Sequence, residues 1–106
     1  MNMNILKDIQ GKQIEILEFI LNRANDCLEL SLKICSNNKK YLFLFYNVSC
    51  VNIKDFSLPM QIEGFEVISN KELGYDKAVS YKVYDFEEDR ISFFFEDFDL
   101  FKGDEL

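Results

Sequence analysis

The residues whose types and spacing could do chemistry are carboxylates near the end of the chain. Asp85, Glu87, Glu88, Asp89, Glu96, Asp97 and Asp99 fall within one stretch of 15 residues. Carboxylates gathered this closely can coordinate a divalent cation, work as an acid–base pair, or meet a basic surface. Calcium needs six to eight oxygens from a shaped loop, and the D-x-[DN]-x-[DN]-G-x₅-E spacing of such a loop does not occur here. A glycosidase pair needs a sugar cleft and a raised carboxyl pKa, and a small chain with no Trp is poor material for that cleft. The chain also has no His, which removes the commonest general base and the usual partner of a Ser or Cys nucleophile. No nucleophile, base and oxyanion donor assemble from what remains. The expectation is a protein that is not an enzyme, with no metal and no cofactor.

Recognition of a basic partner is the chemistry left, and the distribution of charge favours it. Residues 1 to 84 carry 10 acidic and 10 basic side chains, whereas residues 85 to 106 carry 9 acidic against Arg90 and Lys102. The whole net charge of −7 therefore sits on the last part of the chain. A localised acidic surface repels nucleic acid and anionic membranes and attracts a basic protein. The competing account is a solvated loop whose charges keep Phe93, Phe94 and Phe95 from aggregating.

The elements that must position these carboxylates are strands. Tyr81 to Phe101 contains two apolar runs around a charged break at Glu87–Arg90, the pattern of a β-hairpin with a loop of about four residues. Tyr81, Val83 and Asp85 alternate with Lys82, Tyr84 and Phe86; Ile91, Phe93 and Phe95 alternate with Ser92, Phe94 and Glu96. Phe94 must oppose its two Phe neighbours. Exposed together with Phe98 or Phe86, it would form an aromatic anchor within an acidic rim, which is the anatomy of a tight protein interface. Earlier in the chain, Cys27 to Cys35 has period two, with Leu28, Leu30, Leu32 and Ile34 inward. Tyr41–Tyr46 is apolar on both faces, as a strand covered on two sides would be. Val48–Ile53 and Ile62–Ile68 are further strands, the latter with Ile62, Gly64, Glu66 and Ile68 on one side and Glu63, Phe65 and Val67 on the other. Asn22–Asp26, Ser36–Lys40 and Asn70–Gly74 are turns. Met1–Gln10 has the spacing of a short helix, and Ile14–Leu21 fits helix or strand.

Six to seven short strands at roughly ten-residue intervals describe an all-β, mainly antiparallel single domain spanning residues 1–106, a sandwich or a barrel. Its 48% of apolar residues, 11 of them Phe, provide a real core. Cys27, Cys35 and Cys50 are expected to be free and mostly buried thiols. Met-Asn-Met-Asn lacks the basic start and apolar run of a signal peptide, and no run spans a membrane, so a cytoplasmic location is expected.

Four stretches resemble a family. Ile53-Lys-Asp-Phe-Ser57, Ile62-Glu-Gly-Phe-Glu-Val-Ile68, Gly74-Tyr-Asp76 and Tyr81 to Phe94 look like a set of small acidic proteins of Gram-positive bacteria encoded beside polymorphic or contact-dependent toxins. Members of that set are taken to be immunity proteins. The likeness covers the second half of the chain; the family pattern carries Cys where this chain has Phe95, and Trp where it has Tyr75. It brings no catalytic residues and implies that the hairpin is the defining feature.

The leading expectation is a stoichiometric inhibitor that uses Asp85, Glu87, Glu88, Asp89, Phe94, Glu96, Asp97, Phe98 and Asp99 against a basic toxin or nuclease domain. Two alternatives are a phage-encoded anti-defence protein that mimics nucleic-acid charge and a small β domain with a ligand pocket between its sheets.

Overall fold

The computed structural model describes Lys7, residues 9–69 and residues 81–103. They form eight strands: β1 (Lys12–Ala24), β2 (Cys27–Ser36), β3 (Lys39–Tyr46), β4 (Ser49–Ile53), β5 (Met60–Ser69), β6 (Tyr81–Asp85), β7 (Ile91–Phe95) and β8 (Asp97–Lys102). All pair antiparallel in one sheet of order β4-β7-β6-β5-β1-β2-β3-β8. The all-β antiparallel expectation holds, with eight strands in place of six or seven. The helix expected over residues 1–10 lies largely outside the described residues, as does the turn at 70–74.

The eight strands close into a barrel because four of them are halves of two bent strands, β3/β4 and β7/β8. Tyr46 faces Asp97 in β3·β8, and three residues further along the same register Ser49 faces Phe94 in β4·β7. The Glu96 N–H donates to the Tyr46 carbonyl at 3.0 Å and carries the ladder through the corner. The continuous pair β3/β4 with β7/β8 thus joins the two ends of the strand order. The product is a barrel, and the sandwich alternative is set aside.

Turn chemistry sets the hairpins. Asn25 and Asp26 both have positive φ (51° and 65°), as do Asn37 and Asn38 (53° and 64°). Two consecutive left-handed residues make the two-residue turns whose twist suits a hairpin, and Asn and Asp reach that region at least cost. The first turn is therefore shorter than Asn22–Asp26, and β1 runs on to Ala24. That resolves Ile14–Leu21: it is strand. Its helical spacing was overridden because Ile14 and Ile16 fill alternate inward positions beside β2 and β5.

Side chains point inward at alternate positions, and the inward set joins aliphatic residues to a cluster of aromatic rings. Phe43, Phe45, Phe65, Phe93, Phe95 and Phe98 are all essentially inaccessible. Rings from separate strands meet across the interior: Phe43 to Phe65 at 5.7 Å, Phe45 to Phe93 at 4.9 Å and Phe45 to Phe95 at 4.7 Å between centroids. Each ring buried this way stabilises the fold by about 2–3 kcal/mol relative to exposure. Among the described residues these rings fill the middle of the barrel.

In β5 the alternation slips. Ile62 faces inward, then Phe65 and Val67, with Gly64 between them enclosed under Phe86, so neither of the two expected faces holds along the whole strand. The slip is a bulge: Ile14 faces Ile62 but Lys12 faces Phe65. Tyr41–Tyr46 also differs from expectation, since Leu42, Leu44 and Tyr46 are half-buried and only the opposite face is fully enclosed. The three thiols are free, but Cys27 and Cys35 are half-buried and Cys50 is exposed, so they are not core residues. Among the described residues no helix is long and apolar enough to cross a membrane.

Candidate functional site

The carboxylates divide into two groups at opposite ends of β7. The first occupies the β6–β7 connection, Phe86–Arg90; the second follows β7 at Glu96 and the start of β8. Five residues of strand hold them about 17 Å apart.

The tip is built around Asp85, which points inward and is 2% exposed. Its Oδ1 accepts from the backbone N–H of Gly64 at 3.2 Å and of Glu87 at 3.1 Å, and its Oδ2 accepts from the Arg90 N–H at 3.2 Å. The Asp85 carbonyl accepts from the Asp89 N–H at 3.1 Å. Expected among the partner-binding residues, Asp85 is instead the internal brace of the loop, since a carboxylate satisfied by three backbone donors has no free face. Around it, Glu87, Glu88 and Asp89 are exposed as expected. Lys54 pairs with Asp89 at 3.1 Å, while Arg90 turns away and donates to the carbonyls of Gln61 (2.9 Å) and Asp55 (3.0 Å). Arg90 thereby ties the tip to the β4–β5 connection and to the start of β5. Phe86, 48% exposed, lies over Gly64 and presents an aromatic face beside the tip carboxylates.

The second group gathers at the barrel corner. Glu96 is half-buried and accepts from Asn47 Nδ2 at 3.0 Å; Asp97 is exposed and caps its own neighbour, the Phe98 N–H, at 2.8 Å. Tyr46 donates its hydroxyl to Asp99 Oδ2 at 2.7 Å. That hydrogen bond, then burial, then the negative charge of Asp99, Glu29 and Asp97 push the Tyr46 hydroxyl up to about 12. Glu29 and Tyr46 belong to this site although the charge run of the sequence does not contain them. A cleft of about 370 Å³ opens here, lined by Ala24, Asn25, Cys27, Glu29, Tyr46, Asn47, Glu96 and Asp97. Among the described residues none of Glu29, Glu96, Asp97 and Asp99 forms an ion pair.

The two aromatic residues of the expected site part company. Phe98 is 1% exposed and belongs to the core, because the corner at Glu96 resets the inward phase of β8. Phe94 points outward and is half-buried, with Lys82 Nζ 5.5 Å from its ring and 5.7 Å from that of Tyr84. The ammonium over both rings makes this face cationic and aromatic, unlike the two carboxylate groups. Among the described residues no group of three or more His, Cys, Asp or Glu is placed to hold a metal ion.

No family model, curated protein or solved structure matches this chain.

Proposed function

We propose that this is a non-catalytic protein inhibitor, an immunity protein that neutralises a toxin domain by binding its basic surface. The observation that carries the reading is the presentation of Glu87 and Glu88 at the tip and Glu29, Glu96, Asp97 and Asp99 at the corner, without ion-pair partners among the described residues. Side chains that were merely solvating the barrel would gain from nearby lysines; instead, among the described residues, Lys54 is the one ion-pair partner at the tip and no cation pairs with the corner carboxylates. Unpaired carboxylates on a braced scaffold speed encounter with a basic partner and fix its register.

The test is co-expression with the toxin domain encoded beside this protein, catalytically disabled, and purification at low and high salt. A 1:1 complex weakened by salt is the expected result. No complex at low salt, with the toxin domain shown to be folded, overturns the reading.

A further inference from the structure

Beyond Ile16, one side of β1 has no strand partner among the described residues. β5 pairs with β1 only at Lys12–Ile16, whereas β2 follows it through to Ala24. From Glu18 to Ala24, among the described residues, no strand lies on the side away from β2. The two-residue turn fixes which backbone groups are left over. Ala24 and Cys27 close the hairpin as a hydrogen-bonded pair, so Ala24, Ile20 and Asn22 spend their N–H and C=O groups on β2. Phe19, Leu21 and Arg23 direct theirs outward.

Three further observations concern this edge. Ile20 and Leu21 are 48% and 42% exposed, and Phe56 and Leu58 in the next connection are 53% and 45% exposed. Phe56 packs edge-on to Phe19 at 5.6 Å, which places its ring at the open edge. The edge also spans the two acidic groups. Ala24 lines the cleft with Glu29, Glu96 and Asp97, and Asp55, next to Phe56, is held by Arg90 of the tip. The six steps from Glu18 to Ala24 cover about 20 Å, close to the length of β7 that separates the groups.

We propose that the free edge of β1 is where an extended segment of the basic partner adds as a further strand. Its backbone bonds to Phe19, Leu21 and Arg23, its apolar side chains lie on Leu21 and Phe56, and lysines or arginines at its two ends meet the tip and the corner carboxylates. Strand addition takes affinity from backbone hydrogen bonds and specificity from the flanking side chains. A second copy of this chain is the poorer occupant, because each copy carries −7. The proposal rests on the basic-partner reading given above.

The experiment uses the full chain and a fluorescein-labelled peptide, Lys-Lys-Val-Thr-Val-Thr-Val-Lys-Lys, with the same peptide N-methylated at each of its five central residues, which blocks both edges, as control. Both carry the same charge, but only the first can pair as a strand. Anisotropy at low salt reads binding, and amide exchange followed by NMR reads the place. The unmodified peptide is expected to bind about tenfold more tightly than the control and to slow exchange at Phe19, Leu21 and Arg23, with little change at Ile20, Asn22 and Ala24. Leu21→Pro, which removes an outward N–H and no bond to β2, is expected to weaken binding about tenfold, and Leu21→Ala by less. Equal binding of both peptides, or binding without protection at the outward amides, overturns strand addition and leaves the charge reading standing. Binding of neither peptide overturns strand addition, and the co-purification then decides the charge reading separately.

Discussion

Asp85 reaches across from β6 to the bulge of β5 and accepts the Gly64 N–H at 3.2 Å, so the acidic tip is fastened to the barrel by one of its own carboxylates. The return bond, Phe86 N–H to the Gly64 carbonyl at 3.0 Å, completes the attachment. A loop that displays like charges side by side repels itself. This pairing keeps its geometry against that repulsion.

Asp85→Ala should therefore cost about 3 kcal/mol, since three buried or half-buried backbone donors lose their acceptor. Asp85→Asn, which keeps one acceptor oxygen, should cost less. Urea unfolding followed by circular dichroism measures both; a midpoint for Asp85→Ala equal to wild type contradicts the brace.

Gly64 has no room for a side chain. A Cβ there would lie 2.8 Å from Phe86 Cε1 and 2.9 Å from Glu87 Cγ. Gly64→Ala is expected to lose about 1–2 kcal/mol by pushing Phe86 off its seat. Phe86→Ala in the same chain should recover most of that loss, and a double-mutant cycle with no coupling would mean the contact is not the cause.

Tyr46 gives a pH signature. Its hydroxyl ionises near 12 in the fold against 10.0 in the unfolded chain. Folding thus favours the protonated form: the contribution is complete below pH 10 and is lost as pH rises from 10 toward 12. Spectrophotometric titration of tyrosinate should show a late-ionising tyrosine that is Tyr46. Asp99→Asn removes the charge behind the shift and should bring the ionisation back toward 10.0; an unmoved titration would exclude Asp99 as its source.

Cys50 sits at φ 54° in the bulge of β4, the one residue of the positive-φ non-glycine set among the described residues that is neither Asn nor Asp. Cys50→Asn should raise stability by about 0.5–1 kcal/mol by easing that conformation. A thermal midpoint at or below wild type would argue against backbone strain there.

For the inhibitor reading, reversing Glu87, Glu88 and Asp89 to Lys should weaken association with a basic toxin domain and flatten its salt dependence. Reversing Glu96 and Asp97 should do the same from the other end of β7. Affinity unchanged in both variants removes the two carboxylate groups from the interface.

Much of this protein was written locally and could be read locally. Alternation in Cys27–Cys35 and Ile91–Phe95 marks the inward residues, the Asn-rich breaks mark the turns, and the charge count marks the acidic end, because period, turn preference and charge are properties of short segments. Closure of the barrel was not legible. It depends on β3/β4 and β7/β8 keeping one register through the corner at Tyr46 and Glu96, a pairing of residues some fifty positions apart. The same corner turned Phe98 inward and brought Glu29 and Tyr46 beside Asp97 and Asp99, while the β5 bulge made Asp85 a brace. The sequence alone determined which residues alternate, turn and carry charge. Tertiary structure decided which carboxylates are free, because burial and hydrogen bonding are set by what distant strands bring alongside.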